Sequence, residues 1–162
     1  MAQPYEPSSD FLKAVIREIA PLDGNSLAAA NFARLIAMTR NADPVNRDWA
    51  TFFLAQHEAD TPEVRAALLA AAEDACDDVR AEAIHGLAMR DPALALPLLR
   101  RELARDRASV PVFAAAALVA DASLVELLRE FIAPSGNALI DDAACAALEA
   151  CERAARAASP AS

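Results

Sequence analysis

Apolar and polar positions recur along this chain with the period of a helix. Val79, Ala83 and Leu87 fall at i, i+4 and i+8. Leu124, Leu127, Leu128, Phe131 and Ile132 fall on one face of a second segment, and Phe11, Val15, Ile16 and Ile19 on one face of a third. The pattern predicts helices over about 9–20, 25–40, 44–57, 62–73, 77–90, 92–105, 109–120, 122–132 and 138–156. Their starts are well marked. Asp43-Pro44, Thr61-Pro62 and Asp91-Pro92 each place a capping oxygen before a proline that has no N–H to leave unpaired. Ser109 and Asp121 stand in the same position before later helices. Asp23-Gly24-Asn25-Ser26 and Ser135-Gly136-Asn137 read as loops. Connections this short make successive helices antiparallel neighbours. Residues 1–8, which contain two prolines, and the tail 158–162 are expected to fray, leaving 9–157 as a single helical-repeat domain.

The helices are related to one another. Asn41, Arg47, Ala50 and Leu54 match Asp74, Arg80, Ala83 and Leu87 at a constant offset of 33, and Asp106 begins a weaker third copy 32 residues after Asp74. A second series alternates with the first. Thr61-Pro62 with Leu68-Leu69 matches Asp91-Pro92 with Leu98-Leu99 at an offset of 30, and then Asp121-Ala122 with Leu127-Leu128, 30 and 29 further on. Two alternating helix types with a period near 30 are the mark of a solenoid of helical hairpins.

The segment from Asp74 to Ala83 resembles the turn and second helix of a HEAT repeat, in which a turn aspartate precedes a Val-Arg pair and an alanine follows. Asp74, Val79, Arg80, Ala83 and Leu87 occupy those positions. The resemblance implies an all-α, right-handed α-α superhelix of about four helix pairs over residues 25–150, with an N-terminal cap helix. It also implies that Asp74 and Arg80 are structural and link the turns of adjacent repeats. The first pair departs from the pattern, with Asn41 and Asn46 in place of Asp and Val. In the third the arginine position falls near Val112, and the pattern is lost.

Composition narrows the choice of partner. The chain is 56% hydrophobic but only 5% aromatic, and three glycines leave few positions for tight hairpin turns. A net charge of −9 and a single lysine, Lys13, argue against a nucleic-acid or anionic-membrane partner, since either needs a basic surface. No signal peptide and no membrane-spanning run is evident, so a cytoplasmic protein is expected. Cys76, Cys145 and Cys151 form no CxxC, and with His57 and His85 they give no zinc spacing, so no metal or cofactor is expected. The acidic run around Asp77-Asp78 lacks the features of a calcium loop and reads as a charged helix start.

Candidate function therefore rests on a surface. Second helices of such hairpins line the concave face of a solenoid, which makes Arg47, Asp48, Trp49, Thr51, Phe53, Glu82, His85 and Arg90 the candidate partner-binding residues. Trp49, the only tryptophan, aligns with Glu82 and is expected to face outward, unless it packs against the cap helix. Arg47 with Asp48 and Arg80 with Glu82 read as surface ion pairs rather than acid–base machinery. The expectation is a non-catalytic module that binds a protein partner. The alternatives are a HEAT-like enzyme, of the alkylated-base DNA glycosylase or bilin lyase kind, and a self-associating structural domain. Asp48 and Trp49 supply the carboxylate and aromatic a glycosylase needs, but the charge opposes DNA.

Overall fold

The structure, a computed structural model, describes residues 5–158; the outermost residues expected to fray, 1–4 and 159–162, lie outside it. The described residues form nine α-helices and no strand. These are α1 (Asp10–Ile16), α2 (Ser26–Met38), α3 (Pro44–Gln56), α4 (Pro62–Ala71), α5 (Asp77–Arg90), α6 (Pro92–Leu103), α7 (Val110–Val119), α8 (Val125–Arg129), entered through a 3₁₀ turn at Ala122–Leu124, and α9 (Ala138–Ala158).

The starts fall where the capping residues place them. Asp43 accepts from the N–H of Val45, Thr61 from that of Val64, and Asp91 from those of Ala93 and Leu94. Asp121 likewise accepts from Ser123, but Ser109 makes no capping bond. Two ends differ from the periodic reading. Helix α1 stops at Ile16 because Glu18 turns left-handed, with φ 58°, and the N–H of Ile19 reaches back to the carbonyl of Ala14. This closing turn ordinarily uses glycine, so the sequence carries no mark of it. Ile16 and Ile19, expected on the buried face with Phe11 and Val15, are 40% and 71% exposed. At the other end, α8 is only five residues long. Leu124 and Leu128 are buried as expected, while Ile132 lies beyond the helix and is exposed.

The chain divides into two compact units, 5–83 and 84–158 as described, with α5 running through the division. In the first, α3 packs against α1, α2 and α4. Leu12, Leu35, Leu54, Val64, Leu68 and Val79 are fully enclosed there. Each is worth about 1.5–3 kcal/mol of burial. Arg34 of α2 lies 4.4 Å over the ring of Phe11. Residues 5–8, expected to fray, are tied down instead. The Tyr5 hydroxyl donates to Asp48, Pro7 is buried, and Ser8 bridges Asp43 and Asn46.

In the second unit α7 packs against α6 and α9, and α8 against α9. The buried faces of α7 and α9 are made of Ala115, Ala116, Ala144, Ala147 and Cys151. Such small side chains let two helix backbones come close, and the Cys151 thiol sits 3.6 Å from the Ala116 carbonyl. Phe113, with no exposed surface, fills the remaining core and meets Phe131 edge-on at 5.4 Å.

Candidate functional site

Helix α3 carries most of the candidate residues, and its faces do different work. On the turn side, the Arg47 guanidinium grips the Asp74 carboxylate with two hydrogen bonds, 2.7 and 2.9 Å, and donates to the carbonyls of Asn41 and Ala42. Arg80 repeats the second half of this arrangement 33 residues on, donating to the carbonyls of Asp74 and Ala75 and pairing with Asp77. The turns match as well: Asn41 accepts from the N–H of Asp43, as Asp74 does from that of Cys76. Arg47 therefore links one turn to the next and pairs with Asp74 rather than with Asp48, while Arg80 pairs with Asp77 rather than with Glu82. Neither is a free surface ion pair.

The asparagines of the first pair now have a reason. No arginine from an earlier repeat reaches Asn41. A neutral amide stands there and accepts from Asn46, which in turn binds Ser8 and the N–H of Ser9. A carboxylate at position 41 would lack the cation that Asp74 enjoys. The amide pair seals the N-terminal end of the repeat instead.

Thr51 falls out of the candidate set. It is fully buried, and its hydroxyl donates to the Arg47 carbonyl one turn earlier. Its position, four residues from both Arg47 and Ala55, puts it on the packed face of α3.

The open face of α3 is aromatic. Trp49, Phe52 and Phe53 are each half-buried and touch one another, with ring centroids 5.4–6.0 Å apart. Beside them, Tyr5, Asp48, Trp49, Phe52 and Glu82 line an open pocket of about 130 Å³. Trp49 also borders a second hollow with Glu6, Pro7, Lys13, Ile16 and Arg17. The indole thus both leans on the cap region and fronts an open pocket. Phe52 and Tyr5 were missed as candidates. Phe52 was recoverable from the aromatic trio at i, i+3 and i+4, but Tyr5, 43 residues from its partner Asp48, gave no local signal.

The electrostatics of this pocket are those of crowded carboxylates. Burial, aided by the charges of Asp48 and Asp78, pushes Glu82 up to about 7. Burial likewise raises Asp48, against the lowering effect of its bond from Tyr5, and raises the Tyr5 phenol well above its ordinary value. One Asp48 oxygen accepts from Tyr5 at 2.8 Å. The other, and the Trp49 indole N–H, are shielded from solvent and find no hydrogen-bond partner among the described residues.

The remaining candidates lie in the second unit. His85 is half-buried, and burial lowers its pKa, so it is neutral at neutral pH. Arg90 donates to the Gly86 carbonyl of its own helix. His57, which was not a candidate, stacks on Phe32 at 4.3 Å. Its Nδ1 accepts from Ala59, and its Nε2 lies 3.0 Å from Asp23. Among the described residues no cluster of His, Cys, Asp and Glu is placed to hold a metal ion, and no helix is long and apolar enough to cross a membrane.

Paired helices with repeating turn networks define an α-helical repeat protein. The chain belongs to the HEAT-repeat family: the family model described as HEAT repeats matches residues 32–120. Among solved structures, the X-ray structure of YibA from E. coli is similar in fold, with a TM-score of 0.60 at 20% identity. The match covers 88% of this chain and 54% of YibA, so the chain spans about half that protein's length. No curated protein matches the chain.

Proposed function

We propose that this protein is a non-catalytic interaction module that binds a protein partner through the open face of α3 in its first unit. The observation that carries the reading is the half-buried Trp49–Phe52–Phe53 cluster beside a polar pocket. Aromatic side chains in partly desolvated pockets are the usual anchors of protein interfaces. HEAT arrays offer surfaces of this kind to many partners. The reading needs neither His85 nor Arg90, which belong to the second unit. A cytoplasmic setting accords with its three free thiols.

Asp48 and Glu82 do converge on one pocket, which their sequence positions did not reveal, and this is the feature an enzyme reading would use. The pocket's size favours the interaction reading. Small-molecule sites commonly enclose about 300–1,000 Å³. A volume near 130 Å³ suits the head of one side chain better than a whole substrate.

The test is affinity capture from the source cell with wild type and a Trp49→Ala, Phe53→Ala variant, after circular dichroism shows both to be helical. Arg47 is left intact, because changing it would disturb the turns. A stoichiometric partner held by wild type and lost by the variant is expected. Equal capture by both would remove this face from the reading.

A further inference from the structure

We propose that the pocket formed by Tyr5, Asp48, Trp49, Phe52 and Glu82 receives the guanidinium of an arginine side chain presented by the partner protein. This deepens the interaction reading above and rests on it.

Three independent features of the pocket ask for the same ligand. First, its walls are aromatic. Trp49, Phe52 and Tyr5 line a space of about 130 Å³, and a cation over an aromatic face is attracted by the ring quadrupole. Second, its polar groups are acidic and incompletely satisfied. Asp48 keeps one oxygen for Tyr5 and leaves the other shielded and without a partner. Such an orphaned acceptor is costly to keep beside a second carboxylate. Third, the carboxylates of Asp48 and Glu82 come from two different helices and repel one another across the site, with Asp78 adding to the field. A single positive charge between them turns that repulsion into attraction.

Nearby cations of the chain do not answer this need. Arg47 is committed to Asp74, and Arg80 to Asp77 and the carbonyls of its own turn. Lys13 and Arg17 border the second hollow that Trp49 also lines. Guanidinium fits better than ammonium. It is a flat group that stacks on a ring while its fork of N–H donors reaches more than one carboxylate. The chain's net charge of −9 draws a basic partner toward the surface before contact.

Trp49 is the only tryptophan, so its fluorescence and its indole ¹H–¹⁵N signal report on its two neighbouring hollows, and the Asp48→Asn and Glu82→Gln variants tell this pocket from the other. The experiment titrates the full chain at pH 8 with the blocked peptide Gly-Gly-Arg-Gly-Gly and with its citrulline counterpart, which keeps the shape and removes the charge. A saturable shift of the indole signal is expected with the arginine peptide, and at least tenfold weaker binding with citrulline. Asp48→Asn, which keeps the side chain's shape, is expected to weaken binding about tenfold; Glu82→Gln weakens it in the same direction. Equal binding of the citrulline peptide, or no effect of either substitution, overturns the inference. Tighter binding of free L-arginine than of the peptide also overturns it, by making this a small-molecule site.

The failures of the two readings can be told apart. Capture of a partner that depends on Trp49 and Phe53 but is indifferent to Asp48→Asn sinks the arginine inference and leaves the interaction module standing. Selective binding of the arginine peptide, with no partner lost in the Trp49→Ala, Phe53→Ala variant, overturns both the α3 interaction face and the partner protein as the source of the arginine, and leaves only a pocket that binds guanidinium.

Discussion

Replacing Arg47 by methionine isolates the turn-to-turn link. Methionine keeps most of the aliphatic stem and removes only the guanidinium. Four hydrogen bonds disappear, two to Asp74 and one each to the carbonyls of Asn41 and Ala42. The Arg47 and Asp74 side chains are 18% and 12% exposed. Hydrogen bonds to charged groups contribute about 1.5–3 kcal/mol net. The four bonds share one guanidinium that water partly reaches, and they do not add, so the total loss should be near that of a single such bond, about 2 kcal/mol. With a urea dependence of about 2 kcal/mol per molar, the unfolding midpoint falls by about 1 M. The sign of the pH dependence follows from Asp74, whose pKa is lowered chiefly by the bond from Arg47. Its contribution is full above the ordinary carboxylate pKa and is lost as pH falls through the lowered one. The gap between wild type and variant should therefore narrow in strong acid. Urea melts followed by circular dichroism, with Asp74→Asn and the double variant completing the cycle, give the coupling directly. A midpoint shift below about 0.2 M, or a coupling near zero, would refute the structural role given to Arg47.

Other consequences are quick to measure. Glu82 carries a folded pKa of about 7, above its unfolded value, because of burial and the neighbouring charges of Asp48 and Asp78. Its ionisation thus costs nothing below about pH 4 and progressively more as pH rises through 7. Thermal melts should show Glu82→Gln more stable than wild type by about 1–2 kcal/mol at pH 8, after allowance for partial solvent screening, and equal to it at pH 4. Glu18 and Ala120 both sit at positive φ, 58° and 47°, where a Cβ is strained. Glycine at either position should stabilise by about 1 kcal/mol, read as a raised melting temperature. Phe113→Ala, at a fully enclosed position, should cost about 3–5 kcal/mol in urea unfolding.

What was legible in the sequence was whatever repeats. The offset of 33 that ties Asn41 to Asp74 and Arg47 to Arg80 is reproduced bond for bond in the carbonyls the two arginines hold. The Asp-Pro and Thr-Pro caps place their helices because the capping oxygen and the proline sit side by side in sequence. The resemblance gave Asp74 a link between repeats but not the arginine that makes it: Asp74 is held across the repeats by Arg47, while Arg80 holds the carbonyls of its own turn and pairs with Asp77. Arg47 was read with its neighbour Asp48, when its partner lies 27 residues away. Local strain was hidden as well, since Glu18 closes α1 in a conformation that glycine would have announced. The pocket was half visible. Asp48, Trp49 and Glu82 were candidates from repeat register, and Phe53 joins their aromatic cluster. Tyr5 came from a segment that composition marked as frayed, and Thr51 faces the core because register alone does not say which side of a helix a neighbour covers.

The most direct test of the account is quantitative affinity capture with wild type and an Asp48→Asn, Glu82→Gln variant, each with its melting temperature measured alongside. The account predicts a stoichiometric protein partner on wild type, reduced at least tenfold on the variant, with the variant's melting temperature unchanged or higher at pH 8. The same partner held equally by both folded proteins would contradict the claim that the partner is held in this acidic pocket.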